Sequence, residues 1–127
     1  MDVELSRWAS GEEFFDRLES TLPKALERFE PDIVFYIAGV DVHIDDRFGQ
    51  MRLSTQDMRR RDDWTINLCR HWHIPTVVLY GGGYNKAEGM TTELHCQTIR
   101  VAAERANTQP PTSHGRTGGT YQIIFTP

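Results

Sequence analysis

The sequence lacks any apolar run that approaches the roughly 20 residues needed to cross a bilayer. Residues 1–20 also lack the basic start and the hydrophobic core of a secretory signal peptide. Cysteine is scarce, since only Cys69 and Cys96 are present, and without Cys-x-x-Cys spacing they are expected to be reduced. These absences argue against a membrane-embedded or secreted protein and favour a cytoplasmic one.

The chain has no excess of basic residues, because 14 Lys and Arg stand against 18 Asp and Glu, a net charge of −4. This mildly acidic balance gives no support to a nucleic acid or an anionic membrane as a partner. A length of 127 residues fits one domain, which would bury roughly two-thirds of its unfolded surface.

Two short runs rich in β-branched and aromatic residues, Ile33–Ala38 and Thr76–Tyr80, have the composition of buried parallel strands. A helix is predicted after each, from Ser54 to about His71 and from Thr91 or Thr92 to Ala106. This order predicts a right-handed βαβα unit on a parallel sheet, and hence an α/β fold. The expected buried side of the first of these helices comprises Met58, Thr65, Leu68, Cys69 and Trp72.

Upstream of this unit, Asp2–Leu5 alternates polar and apolar residues and is read as a short strand. Ser10 is the expected N-cap of a helix in which Pro23 should cause a kink or a restart. The apolar face of that helix is predicted to contain Phe14, Leu18, Leu22, Ala25, Leu26 and Phe29. Residues 1–106 are therefore predicted to form the domain, and residues 107–127, rich in Pro and Gly, a flexible tail in which Tyr121–Phe125 either pairs on a sheet edge or stays unpaired.

Polar residues follow both predicted strands at the same edge of the sheet. The first strand leads through Gly39 to Asp41, and the second leads through Gly81–Gly83 to Tyr84. A crossover unit places the two strand ends side by side, so Asp41 and Tyr84 should face a common cleft. A carboxylate serves as a metal ligand or a base, and a phenol donates to developing negative charge. A tyrosine that only packs behind a glycine turn is the alternative.

These residues resemble motifs of the zinc-dependent histone deacetylase family, of the acetylpolyamine amidohydrolase superfamily, with the strongest similarity to its bacterial and class IV branches. The similar segments are Gly39-Val40-Asp41, Asp46-Arg47-Phe48-Gly49, Gly81–Tyr84 and Glu93–Thr98, in the family's order and spacing. The resemblance covers roughly residues 11–103 and implies the C-terminal βαβα portion of the three-layer arginase/deacetylase-like fold.

The resemblance implies roles for two residues. Asp41 matches the aspartate of the family's Asp-His-Asp zinc ligand set, and Tyr84 matches the tyrosine that donates to the acetyl carbonyl. Zinc is thus the implied cofactor, and acetylated lysine or a small acetylated amine the implied substrate. Residues expected to support the pocket and its loops are Gly39, His43, Asp46, Arg47, Gly82 and Gly83.

The chain departs from the family pattern because it contains no His-His pair and no separate Asp-x-His segment. One carboxylate cannot hold a catalytic zinc ion, which takes about three protein ligands, so the chain alone is predicted to be inactive. The alternative is a non-catalytic α/β module that binds a partner or self-associates through an uncovered sheet edge. A nucleotide-binding half-domain has only topology in its favour.

Three further groups of residues have plainer interpretations. His43 is expected at the rim of the pocket, with metal ligation as the alternative. Cys69, His71 and His73 are attributed to the helix C-terminus, where the dipole favours histidine. Arg59–Arg61, followed by Asp62 and Asp63, is read as a solvated and ion-paired helix face.

Overall fold

The computed structural model describes residues 2–108, which form three helices and four strands. Their bounds, in chain order, are β1 Ala9–Ser10, α1 Gly11–Phe29, β2 Val34–Gly39, β3 Met51–Arg52, α2 Thr55–His71, β4 Thr76–Gly81 and α3 Met90–Ala106. The predicted tail and the Tyr121–Phe125 segment lie outside the described residues, apart from Asn107 and Thr108. No helix among residues 2–108 is long and apolar enough to cross a membrane.

The β2–α2–β4–α3 order confirms the predicted βαβα unit. Strands β2 and β4 pair in parallel from Val34 opposite Thr76 to Gly39 opposite Gly81. Parallel pairing requires a crossover connection, and α2 provides it. The two strands therefore end side by side, as the sequence predicted.

A second parallel pair was not predicted. Strand β1 pairs with β3, with Ala9 opposite Met51. The prediction of a strand at Asp2–Leu5 is wrong, because these residues have no strand structure. Trp8, with a φ of 67°, has a left-handed backbone that interrupts an extended chain, and pairing begins only after it.

Both predicted serine N-caps are present. Ser54 and Asp57 form a reciprocal capping box, in which the Asp57 N–H donates to Ser54 Oγ at 3.1 Å and the Ser54 N–H donates to Asp57 Oδ2 at 2.9 Å. Ser10 accepts from the Glu13 N–H at 3.3 Å, but the Glu13 side chain accepts from the Ser6 N–H instead of completing a box. The start of α2 comes shortly after the loop that follows β2, separated from it by β3.

Helix α1 continues through Pro23, so of the predicted kink or restart the restart does not occur. Both halves pack on α2, because Phe15 lies under the Arg60 guanidinium and Leu26 joins the buried cluster of Cys69. This packing offsets the backbone hydrogen bond that proline removes. The predicted buried face was also partly wrong, since Phe15 is buried and Phe29 is 60% exposed.

Helices α2 and α3 cover one face of the β2–β4 sheet. The core between them comprises Ala38, Ile66, Val78, Val101 and Ala102, with Tyr36 packed against it. Of the predicted α2 core residues, Met58, Thr65 and Cys69 are buried, whereas Leu68 and Trp72 are only partly buried. The opposite face is uncovered in the described part of the chain, where Phe35 and Ile37 are 62% and 66% exposed.

The arginine run on α2 divides into two kinds of residue. Arg59 and Arg60 lie at the surface and form ion pairs, as predicted, but their partners are Glu104 of α3 and Glu19 of α1 rather than the aspartates of α2. Arg61 and Asp62 are buried, with residue exposures of 5% and 0%, so the solvated face predicted for them is wrong. They share the buried stripe of α2 with Met58 and Thr65, three or four residues away.

Candidate active site

The site is built on the loops that follow β2 and β4. Asp41 lies two residues beyond the end of β2, and Gly82 is the first residue beyond β4. A β-carbon added at Gly82 would lie 2.4 Å from Asp41 Oδ2, and one added at Gly39 would lie 3.1 Å from Asp41 Oδ1. The two glycines therefore leave the space that the Asp41 carboxylate occupies. Asp41 remains exposed at this edge of the sheet.

Asp46 connects the two loops. Its Oδ1 accepts the N–H groups of Phe48 at 2.9 Å and Gly49 at 2.8 Å, and its Oδ2 accepts the N–H of Tyr84 at 2.6 Å. Burial would raise the pKa of this carboxyl, but the N–H donors, first that of Tyr84, outweigh burial and hold the pKa below its ordinary value. Asp46 is thus an ionised hydrogen-bond acceptor that fixes the backbone of Tyr84 relative to the Asp41 loop.

The backbone of Tyr84 is fixed by hydrogen bonds, but the residue is exposed to solvent. The Arg47 N–H donates to the Tyr84 carbonyl at 3.1 Å, so the residue is held from both sides. Tyr84 is 64% exposed, and its ring meets that of Phe48 edge-on, with ring centroids 5.2 Å apart. Gly83, just before it, has a φ of 144°, and a β-carbon there would lie 2.4 Å from Val40 Cγ2. Glycine is therefore required where the turn crosses the Asp41 loop.

His43 is buried at 4% exposure, so the predicted position at the rim is wrong. Its Nδ1 lies 3.2 Å from the Asp45 N–H and 2.9 Å from Asn85 Nδ2, and its Nε2 lies 3.2 Å from Thr55 Oγ1. Because two donors meet Nδ1, that nitrogen accepts and Nε2–H donates to the threonine. The imidazole thereby joins both loops to the start of α2.

An apolar groove of about 540 Å³ runs beside β2 and reaches Asp41. Its apolar walls include Phe14, Leu18 and Leu22 of α1 and Phe35 and Ile37 of β2. Gly81, Gly82 and Asp41 lie at its polar end, whereas Tyr84 does not line it. The structure therefore brings Asp41 against the glycine turn, but it does not place the phenol in the same groove.

Within residues 2–108 there is no group of three or more His, Cys, Asp or Glu side chains that could hold a metal ion. Asp41 is an oxygen donor of a kind that zinc accepts, but a catalytic zinc ion takes about three protein ligands. The described residues therefore do not form a zinc site by themselves. Cys69, His71 and His73 form no such group either.

Sequence reasoning missed two residues that organise the site. Asn85 was given no role at the site, yet its side-chain Nδ2 lies 2.9 Å from His43 Nδ1. Arg61 was assigned to the surface, yet its Nη1 donates to the Gly39 carbonyl at 2.7 Å. The position of Arg61 on the apolar stripe of α2, three residues after Met58, was the signal that could have identified it.

Comparisons with known proteins identify the family. A sequence model of the histone deacetylase domain matches residues 1–99. Histone deacetylase 2 of Arabidopsis thaliana is 32% identical over 85 residues, 67% of this chain and 22% of that protein. An uncharacterized protein of Picosynechococcus sp. is 31% identical over 86 residues, 68% of this chain and 29% of that protein.

A solved structure agrees with these sequence matches. The crystal structure of an acetylpolyamine aminohydrolase from Burkholderia pseudomallei superposes with a TM-score of 0.61 at 25% identity, covering 79% of this chain and 27% of that one. The fold class predicted from the sequence is therefore confirmed. The chain spans less than a third of the length of each of these relatives. From the domain match and the shared fold, the chain belongs to the histone deacetylase domain family.

Proposed function

We propose that this chain is the C-terminal portion of a histone-deacetylase-like zinc amidohydrolase that hydrolyses acetyl-lysine or a related small acetylated amine. The observation that carries the proposal is the Asp46 link, which joins the loop bearing Asp41 to the loop bearing Tyr84 through a 2.6 Å hydrogen bond. The two residues that match the family's motifs are thereby held at one edge of the parallel sheet. Relatives named as a histone deacetylase and an acetylpolyamine aminohydrolase support this substrate class.

Each of the two residues has a chemical role in the proposal. The exposed Asp41 carboxylate would supply one oxygen ligand of a zinc site whose other ligands would come from outside the described residues. The exposed Tyr84 hydroxyl donates a hydrogen bond to the substrate carbonyl as negative charge develops on its oxygen. Bound zinc would supply Lewis-acid polarisation of the carbonyl and activation of water. Without the other ligands the chain is proposed to be inactive.

The uncovered side of β2 is the proposed docking surface for the preceding part of such a domain. Strand β2 is apolar on both faces, which is typical of a strand inside a parallel sheet rather than at its edge. Among the described residues only β4 pairs with it, and Phe35 and Ile37 are left exposed. A strand added along this edge would fill the groove and pair with β2 as far as the Gly39 carbonyl, which Arg61 already occupies.

Two further points belong to the proposal. Residues 1–106 constitute the domain portion, followed by a tail from residue 107, and the protein works in the cytoplasm.

Self-association through the β2 edge is the competing use of the proposed docking surface. Sedimentation of the purified chain separates the two, because a stable homodimer that Ile37→Lys dissociates would favour the non-catalytic module.

Zinc binding tests the proposal. Zinc affinity is measured by competition with a chromogenic chelator, first for the chain alone and then for the chain mixed with the preceding part of the family domain, taken from the Picosynechococcus relative. We expect weak binding alone and tight binding in the mixture, lost with Asp41→Asn but kept with Asp45→Asn. Tight zinc binding in the mixture that survives Asp41→Asn would refute the assignment of Asp41.

A further inference from the structure

A charged pair is buried beneath the candidate site. The Arg61 and Asp62 side chains are 6% and 0% exposed, and Arg61 Nη2 lies 2.8 Å from Asp62 Oδ1. Burying two charges is costly unless every donor and acceptor is satisfied. The hydrogen bonds of the pair therefore show what it is fixed to.

Asp62 is satisfied by three structural elements. Its Oδ1 accepts Arg61 Nε at 2.9 Å and the Tyr36 hydroxyl of β2 at 2.5 Å, and its Oδ2 accepts the Thr98 hydroxyl of α3 at 2.6 Å. Burial, together with the neighbouring Asp62 carboxylate and despite the Arg61 cation, raises the pKa of Tyr36, so the phenol stays protonated and donates. Asp62 thus fixes the Arg61 guanidinium in one orientation between the sheet and both helices.

The remaining guanidinium nitrogen points at the start of the Asp41 loop. Arg61 Nη1 donates to the Gly39 carbonyl at 2.7 Å. The next N–H, that of Val40, faces β4 and lies 3.4 Å from the Gly81 carbonyl and 3.3 Å from that of Gly82. In a trans peptide the C=O and N–H point in opposite directions, so the Gly39 carbonyl faces the edge of β2 away from β4. At that edge Arg61 donates to the Gly39 carbonyl in place of a backbone N–H of a neighbouring strand.

We propose that Arg61, oriented by Asp62, is a positioning residue for Asp41. Its charge-assisted bond is the shortest contact on the Gly39–Val40 peptide, whose bonds on the β4 side are long. Val40 is buried, so the orientation of this peptide sets the direction in which the chain leaves the sheet at Asp41. That this direction matters for catalysis rests on the proposed function, whereas the effect of Arg61 on the position of Asp41 does not.

Lysine cannot replace this arginine. Arg61 uses Nε, Nη1 and Nη2 to hold the Gly39 carbonyl and the Asp62 carboxylate together. A lysine ammonium keeps the charge but lacks the planar fork that reaches both acceptors. Arg61→Lys therefore breaks the link to Gly39 while leaving Asp62 a cationic neighbour.

Hydrogen exchange by NMR on the full 127-residue chain tests the proposal, with Arg70→Lys as the matched control. Arg70 is also buried on α2, but it bonds Thr108 at the other end of the helix. For Arg61→Lys we expect the Val40 and His43 amides to lose at least tenfold more protection than the slowest amides of β2 and β4. The Gly39 carbonyl carbon should also shift upfield. Arg70→Lys should produce neither change.

Two results would overturn the proposal. The first is a loss of protection at the Val40 and His43 amides of Arg61→Lys that is no larger than the loss at the slowest amides of β2 and β4, together with an unshifted Gly39 carbonyl carbon. If that variant does not fold, the unmodified chain decides: Arg61 side-chain protons that exchange as fast as those of the surface residue Arg59 would overturn it, and slow exchange would support it. Neither measurement uses zinc or an acetylated substrate, so failure here leaves the proposed function standing.

Discussion

Asp46→Asn should selectively break the hydrogen bond between the two loops of the candidate site. Asparagine keeps one side-chain oxygen, which can retain the bonds to the Phe48 and Gly49 N–H groups. Its amide NH2 then replaces Oδ2, which accepts from Tyr84 at 2.6 Å, and places a donor against a donor. One charge-assisted bond is lost, so the free energy of unfolding should fall by about 1.5–3 kcal/mol.

Urea unfolding followed by circular dichroism at pH 7 measures this difference. Asp45→Asn is the matched control, because Asp45 is exposed and its substitution should change the free energy of unfolding by no more than about 0.5 kcal/mol. Asp46→Ala removes the acceptor for all three N–H groups and should cost more than Asp46→Asn. Equal stability of Asp46→Asn and Asp45→Asn would refute the role of Asp46 as the link.

The pH dependence of the same difference follows from the pKa of Asp46. Its folded pKa lies below the ordinary value because backbone N–H donors outweigh burial. The ionised carboxylate therefore contributes its full stability above the unfolded pKa of about 3.9, and loses it as the pH falls through the folded pKa. The stability gap between the unmodified chain and Asp46→Asn should be constant from pH 7 to about 5 and close in strong acid. A gap that persists unchanged at pH 2 would contradict this.

Three other substitutions have expected outcomes. Gly83→Ala should cost about 2–4 kcal/mol in urea unfolding, because the new β-carbon would lie 2.4 Å from Val40 Cγ2 at a φ of 144°. Gly89→Ala is its control, since it also has a positive φ but nothing within 4 Å, and a cost equal to that of Gly83→Ala would exclude the clash. Ile37→Lys, at a side chain 66% exposed, should leave unfolding nearly unchanged but weaken binding of the preceding part of the domain at least tenfold by calorimetry. Tyr84→Phe should leave the melting temperature unchanged, because the residue is 64% exposed; a large decrease would give the hydroxyl a structural role.

The parts of the fold that were predictable have strong local signals. Strands β2 and β4 are compact apolar runs that end in glycine, and a serine marks the start of α1 and of α2. A crossover between two parallel strands then places the two glycine-ended strand ends side by side. The neighbourhood of Asp41 and Gly82 follows from these rules alone.

The parts that were not predictable depend on distant contacts. Strands β1 and β3 have two residues each, too few for any periodicity. Phe14 and Phe15 are adjacent on α1, and only the position of α2 decides that Phe15 is the buried one. The burial of Arg61 was hidden by its surface neighbours Arg59 and Arg60, although its spacing from Met58 indicated the core.

The hydrogen bonds of Asp46 likewise include local contacts, which the sequence predicts, and a distant contact, which it does not. Sequence reasoning expected Asp46 to brace its own loop, and the bonds to Phe48 and Gly49 are such local contacts. The bond to Tyr84 spans 38 positions and depends on how the two loops meet in space. A local turn signal cannot specify such a partner.

Turnover of an acetyl-lysine peptide in the presence of zinc tests the central claim most directly. The assay compares the purified chain alone with the chain mixed with the preceding part of the family domain. We predict no turnover by the chain alone, turnover by the mixture, and its loss when the chain carries Tyr84→Phe. Turnover by the chain alone that Tyr84→Phe abolishes, or turnover by the mixture that survives both Tyr84→Phe and Asp41→Asn, would contradict the account.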